Sequence, residues 1–336
     1  MAGSYLLYNE THYNGLMTDW GKTVLFSFFV MWFFLAVISA VCLGFYDVFK
    51  KISLRDNAVL PVLLLNTLIG SLLFLPLILS SYAGVLPANS HWFVPTSTIS
   101  AHLWVFLKAI IVLSSWICGY FAMKHLPITL VGPINATRPV MTLLGAMIVF
   151  NEHFNLWQWG GVVLAIYSFF LLNKSGRKEG IDFLRNRWIL LLVLAALLGA
   201  CSGLYDKFLL RSPSLGGVGL NPIFVQSWFN LYQFGLMSLI FGLLWWPIRK
   251  TTTPFQWRWS IVGISLFLAL ADLVYFYALT DPGVLIAIVS MTRRSSVLVS
   301  FLFGVFLWRE NNARAKAFDL LLVFISLILL CIGALV

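Results

Sequence analysis

The sequence predicts an all-α polytopic membrane protein of ten transmembrane helices, arranged as two inverted five-helix units. Three observations carry this. The 336 residues are 60% hydrophobic and only 10% charged, with a mean hydropathy of +0.92. Ten apolar runs approach or exceed the ~20 residues a membrane span needs. Short motifs of the first half then recur in the second at a nearly constant offset.

Residues 1–22 form an N-terminal tail with no assigned role, and Met17 is a candidate start. Span 1 (24–46) lacks a small-x-small cleavage site, so it reads as a retained helix and not as a cleaved signal. It closes on Gly44-Phe45-Tyr46-Asp47-Val48-Phe49-Lys50. Span 2 (58–79) opens on Leu60-Pro61-Val62, and span 3 (103–123) carries Lys108. Span 4 (127–150) starts at Pro127 and contains Gly132-Pro133-Ile134-Asn135-Ala136-Thr137-Arg138-Pro139, with Glu152 just beyond. The two prolines beside Arg138 each remove a backbone donor and weaken the helix there. Span 5 (156–173) completes the first unit, residues 23–173, and a basic connector follows at 174–187.

Span 6 (188–208) opens the second unit, residues 188–336, and ends in Gly203-Leu204-Tyr205-Asp206-Lys207-Phe208, the counterpart of the motif closing span 1. Span 7 (221–246) opens on Asn221-Pro222-Ile223 and carries Gln226, Asn230 and Gln233 along one face. Span 8 (258–279) holds Asp272. Span 9 (283–308) follows Pro282 and holds Ser290-Met291-Thr292-Arg293-Arg294, so that Thr292-Arg293 repeats Thr137-Arg138; Glu310 follows as Glu152 does. Span 10 (317–336) ends the chain. Five spans per unit is an odd number, so the second copy enters the membrane from the opposite face and the shared site falls at the midplane.

The formal net charge of +10 is a topology signal. Fifteen of the 22 Lys and Arg residues fall in the loops after spans 1, 3, 5, 7 and 9, Lys50 and Lys51 among them; three fall on the other side. That bias places both termini outside and the connector in the cytoplasm, and it leaves no reason to invoke nucleic acid. Cys42, Cys118, Cys201 and Cys331 lie inside spans without paired spacing and read as small apolar residues. Trp20, Trp92, Trp157, Trp159, Trp188, Trp245, Trp246 and Trp257 sit near span ends, as an interfacial belt does.

Ala122-Met123-Lys124 through Glu152, followed by Trp157-Gln158-Trp159-Gly160-Gly161, and Tyr277-Ala278-Leu279 through Glu310, resemble the two EamA repeats of the drug/metabolite transporter superfamily. The resemblance covers nearly all the chain after Lys22 and implies a small-metabolite carrier in the plasma membrane of a bacterium. The second copy departs from the pattern, because Asn311-Asn312-Ala313-Arg314 replaces the Gln-Trp-Gly run. Arg293-Arg294 is also similar to the basic pair that triose-phosphate translocators of the same superfamily use on an anionic substrate.

Arg138, Lys108, Arg293 and Arg294 against Asp272 make four intramembrane cations to one anion. A charge at the centre of a span costs roughly 2.5–3.5 kcal/mol, so these groups must face protein, water or a ligand. A bound small anion is the simplest partner. Asn135 with Arg138, and Ser290 with Arg293, share helical faces at i, i+3, and guanidinium forks suit carboxylate or phosphate. The blander reading has the arginines tying helices together through carbonyls, Lys108 snorkelling outward, and Gln226, Asn230 and Gln233 bonding between helices. Asp47 and Asp206 end their spans and are expected at opposite faces, either as interfacial ion pairs with Lys51 and Lys207 or as symmetric gates.

The expected function is secondary transport by alternating access of a small metabolite, with an organic anion favoured. The alternatives are a flippase for a lipid-linked phosphate and an exporter of neutral amino acids or other metabolites. No G-x-x-x-x-G-K-[ST] or His-Glu-x-x-His occurs, so neither an ATPase nor a metalloprotease is expected, and neither cofactor nor metal is called for. The partners expected are the bilayer and the small-molecule substrate, and a monomer is compatible with both.

Overall fold

The structure is a computed structural model; it describes residues 34–138, 140–142, 144–145, 155–177, 185–213, 216–279, 292–293, 295–308 and 313–335. The described residues are helical with no strand. In chain order the helices are α1 (34–54), α2 (Val59–Tyr82), α3 (Ile99–His125), α4 (Ile128–Ala136), α5 (Leu156–Arg177), α6 (Arg187–Leu210), α7 (Pro222–Ile240, with a π turn Phe241–Trp245), α8 (Ser260–Leu279), α9 (Ser296–Trp308) and α10 (Ala313–Leu335). Five of them, α2, α3, α6, α7 and α8, are long and apolar enough to cross a membrane. Their outward faces keep large apolar side chains exposed, such as Leu79, Leu103, Leu190, Leu239 and Leu266, while polar residues turn inward. That inversion suits hydrocarbon as the surrounding solvent.

Local chemistry fixes the helix ends. Asp56 takes a left-handed φ of 51° in the turn between α1 and α2. Asn57 stitches that turn to the segment before α8, donating to Gln256 O and accepting from Gln256 N. Thr98 caps α3 through Ala101 N. Lys51 donates to Met123 O and Leu126 O at the far end of α3, where the helix dipole favours a cation. Lys51 therefore serves the end of α3. Asn186 caps α6 and Asn221 caps α7, with Pro222 in the first turn, where its missing N–H costs nothing.

The expected continuous span over 127–150 is interrupted. Helix α4 stops at Ala136, and the backbone tightens to i→i−3 bonds from Thr137 N to Ile134 O and from Val140 N to Thr137 O. Pro139 explains the stop, since its ring cannot donate to Asn135 O and crowds the preceding turn. Arg138 sits at this break.

Packing falls into an inner group and an outer pair. The largest core cluster joins α1, α2, α3, α4, α6 and α8 through Leu54, Leu63, Tyr120, Met123, Ile134, Leu192 and Ile264. A second joins α2, α3, α6 and α7. Helices α5 and α10 pack on each other and, through Val140, Val162, Val297 and Leu320, on the α4 region and α9. Ser168 Oγ donates to Asp319 O and Ser326 Oγ to Gly161 O, each at 2.7 Å. The two serines lie 158 positions apart (168 and 326), as do the two acceptors (161 and 319). The contact is thus reciprocal, and its order makes α5 and α10 antiparallel.

Candidate functional site

The inner helices surround a cavity of about 170 Å³, far above the ~10–15 Å³ that a single water needs. Its wall brings together Lys50, Asp47, Arg138, Asn135, Arg293, Asp272, Lys108 and Asp206. Four cations and three carboxylates therefore face one small space.

Three of the cations are matched. Lys50 Nζ lies 2.6 Å from Asp47 Oδ1 within α1 and sits 4.3 Å above the Tyr46 ring. Lys108 of α3 pairs with Asp206 of α6 and lies between the rings of Phe229 and Phe276, at 4.8 and 4.7 Å. Arg293 Nη2 pairs with Asp272 Oδ1, and its guanidinium stands 4.1 Å from the Tyr275 ring centroid. Aromatic faces attract cations, so each pair is set in a shell that favours its positive member.

Arg138 is different. It has no ion pair among the described residues, and its Nε is buried without a hydrogen-bond partner, as is Asn135 Oδ1. Its charged neighbours are Asp47, Lys50 and Arg293. The guanidinium lies against α6 at Gly199, where a Cβ would come within 2.9 Å of Arg138 Cζ and Nη1. Only glycine leaves that berth open.

These positions alter several expectations. Lys108 does not snorkel; α3 begins at Ile99, and the side chain is 3% exposed in its pair with Asp206. Asp47 and Asp206 are not at the helix ends, because α1 runs to residue 54 and α6 to Leu210. Both line the one cavity, and their partners are Lys50 and Lys108 in place of the expected Lys51 and Lys207. Lys50 accordingly leaves the loop charges. The cationic excess in the cavity is one, not the three left by Asp272 alone. Ser290 and Arg294 lie outside the described residues. Gln226 and Asn230 line a separate, smaller cavity that shares Asp272 with the main one, and Gln233 is buried beside neither.

The sequence reading missed Lys50, Tyr46, Tyr120, Tyr275 and Gly199. A signal existed for Tyr46, since Tyr-Asp occurs in both repeated motifs, at Tyr46-Asp47 and Tyr205-Asp206. Tyr46 Oη donates to Tyr120 Oη at 3.5 Å, beside Asp47.

A break in one helix and a cavity whose charges are drawn from several helices are compatible with a membrane carrier. Residues 30–174 match the model of the EamA-like transporter family. An uncharacterized transporter of Pseudomonas aeruginosa is 27% identical over 143 residues, 40% of this chain and 44% of that one. This chain thus matches less than half the length of that relative. A crystal structure of a protein described no further superposes with a TM-score of 0.57 at 14% identity, covering 92% of this chain and 98% of that one. At that identity the likeness shows the fold alone, and it extends through both halves. The chain is a multi-pass membrane protein whose residues 30–174 are similar to the EamA-like transporter family. Within the matched residues lie Asp47, Lys50, Lys108, Asn135 and Arg138, five of the eight polar groups named in the cavity wall.

Proposed function

We propose that this protein is a secondary transporter of the EamA family that carries a small organic anion across the plasma membrane by alternating access, with Arg138 as the principal charged contact. The observation that carries the reading is Arg138: an inward-facing guanidinium, outside any ion pair among the described residues, in a wall whose other cations are matched. Leaving such a charge uncompensated in a low-dielectric site costs several kcal/mol, and a carboxylate or phosphate oxygen would remove that cost. Arg293 is the second contact, available when it releases Asp272.

Alternating access rests on ten spans in two inverted units with both termini external. The antiparallel, reciprocal serine bonds of α5 and α10 support the inversion. So does the packing of α2 on α7 and α4 on α9, each helix meeting its own counterpart, while α3 on α7 is answered by α8 on α2. Asp206 and Asp272 join different helices to Lys108 and Arg293, so these pairs act as latches that open when the halves move. This takes the place of gates at the two mouths.

A zwitterionic metabolite such as a neutral amino acid is the second reading, favoured by the three carboxylates that share the cavity. A melting screen of the purified protein against anionic, zwitterionic and cationic metabolites separates the two, since a ligand that binds only the folded state raises the midpoint. Protection by small anions that disappears in Arg138→Gln is expected. Protection by cations alone would refute the anion reading.

A further inference from the structure

Beside the central cavity, α2, α7 and α8 enclose a second space of about 10 Å³, room for one water-sized guest. Its polar lining is Asn66, Thr67, Gln226, Asn230, Ser265 and Asp272. Four of these side chains already donate within the protein. Asn66 Nδ2 donates to Tyr120 Oη at 3.2 Å and Asn230 Nδ2 to Gln226 O at 2.8 Å. Thr67 Oγ1 donates to Leu64 O at 2.9 Å, and Ser265 Oγ donates to Asn66 Oδ1 at 3.0 Å.

Several oxygens of the lining remain available. Gln226 is 1% exposed, and its Oε1 is buried without a partner. Asn230 Oδ1 reaches toward α2 where Gly70 has no side chain; a Cβ there would lie 2.8 Å from it. Thr67 Oγ1 keeps its lone pairs, and Arg293 engages only Oδ1 of Asp272, leaving that carboxylate a second oxygen.

We propose that this space binds a single sodium ion, held by the oxygens of Thr67, Gln226, Asn230 and Asp272. Hard cations take oxygen ligands. One carboxylate among neutral oxygens balances a single positive charge, whereas a divalent ion would call for more.

The ion couples to the central cavity through Asp272, which lines both spaces. Sodium on Asp272 competes with Arg293 for the carboxylate. It frees that guanidinium to join Arg138 and raises the cationic excess in the central cavity from one to two. Sodium binding therefore favours a doubly charged anion such as a dicarboxylate or phosphate ester. This consequence, unlike the ion site itself, rests on the carrier reading above.

The test uses the purified full chain in detergent, melted in equimolar NaCl, KCl and choline chloride. A saturable rise of the midpoint in NaCl alone is expected, and it should weaken in both Thr67→Val and Gln226→Leu, which keep shape and remove an oxygen. Equal midpoints of the wild type in all three salts would overturn the site and leave a buried water in its place. So would a sodium effect unchanged in both variants. Sodium should also raise affinity for a dianion about 5- to 150-fold, the usual range of coupling between sites. A dianion that protects equally with and without sodium would sink the coupled site while the carrier reading stands. A sodium shift with no protection by any anion would keep the ion site and sink the carrier reading.

Discussion

Arg138→Gln separates a binding arginine from a structural one by the sign of two effects. If Arg138 receives the substrate, the substitution removes a charge-assisted contact of roughly 1.5–3 kcal/mol, a loss of about ten- to a hundredfold in affinity. The unliganded protein should respond the other way. Its buried Nε lacks a partner, a deficit of roughly 1–3 kcal/mol, and no carboxylate is paired with it among the described residues. Glutamine relieves that deficit without stranding an anion, so the variant should melt at or above the wild-type midpoint while losing anion protection. Arg138→Lys should recover only part of the affinity, because it restores the charge without the fork. Arg293→Gln is the internal contrast. It strands Asp272, whose side chain is 17% exposed, and breaking such a buried pair costs about 3–5 kcal/mol. Melting curves and equilibrium binding on the same preparations supply both readouts. An Arg138→Gln protein that melts well below wild type and binds anions as well as wild type would make Arg138 a helix tie and refute the reasoning.

Other substitutions test the surroundings. Asp206→Asn leaves Lys108, 2% exposed, without its carboxylate and should lower stability by about 3–5 kcal/mol; Lys108→Met with Asp206→Leu should restore most of it, read by denaturant titration in detergent. Gly199→Ala places a methyl within 2.9 Å of Arg138 Cζ and Nη1, so it should displace the guanidinium and weaken anion binding with little change in melting; unchanged affinity would show that the berth is not needed. Lys178→Cys should resist a membrane-impermeant thiol reagent in whole cells and react after permeabilisation, and direct labelling would reverse the proposed orientation.

The helices and the weak point of the span over 127–150 were legible because their causes are local. Apolar runs of sufficient length specify spans, and Pro133 and Pro139 mark the weakened stretch beside Arg138, although the sequence reading kept the span continuous. Repetition of Thr137-Arg138 as Thr292-Arg293 pointed to both guanidiniums. The ion pairs were not legible, for two physical reasons. The first charged residue looks like the end of an apolar run, yet α1 continues through Asp47 and Lys50 to residue 54, so residues assigned to the interface are inside. Lys108 and Asp206 stand 98 positions apart on helices that only the folded chain brings together. Asn66 was hidden likewise, because one amide hardly disturbs the hydropathy of α2, while in the fold it meets Tyr120 and Ser265.

Such a concentration of charge needs a reason beyond stability, since apolar residues of similar size in place of a buried ion pair are often neutral or stabilising by 1–4 kcal/mol. The way the pairs are drawn suggests that reason. Asp47 and Lys50 belong to α1 and stay matched however the helices move. Lys108 with Asp206 bridges α3 and α6, and Asp272 with Arg293 bridges α8 and the residues before α9. Separating either bridged pair without a replacement exposes two desolvated charges, and separating it around a ligand does not. On the carrier reading, an empty cavity therefore resists rearrangement, whereas one holding an anion on Arg138 and Arg293 pays less for it. The same residues then bind the solute and make movement depend on its presence, a coupling of occupancy to conformation that no apolar wall could supply.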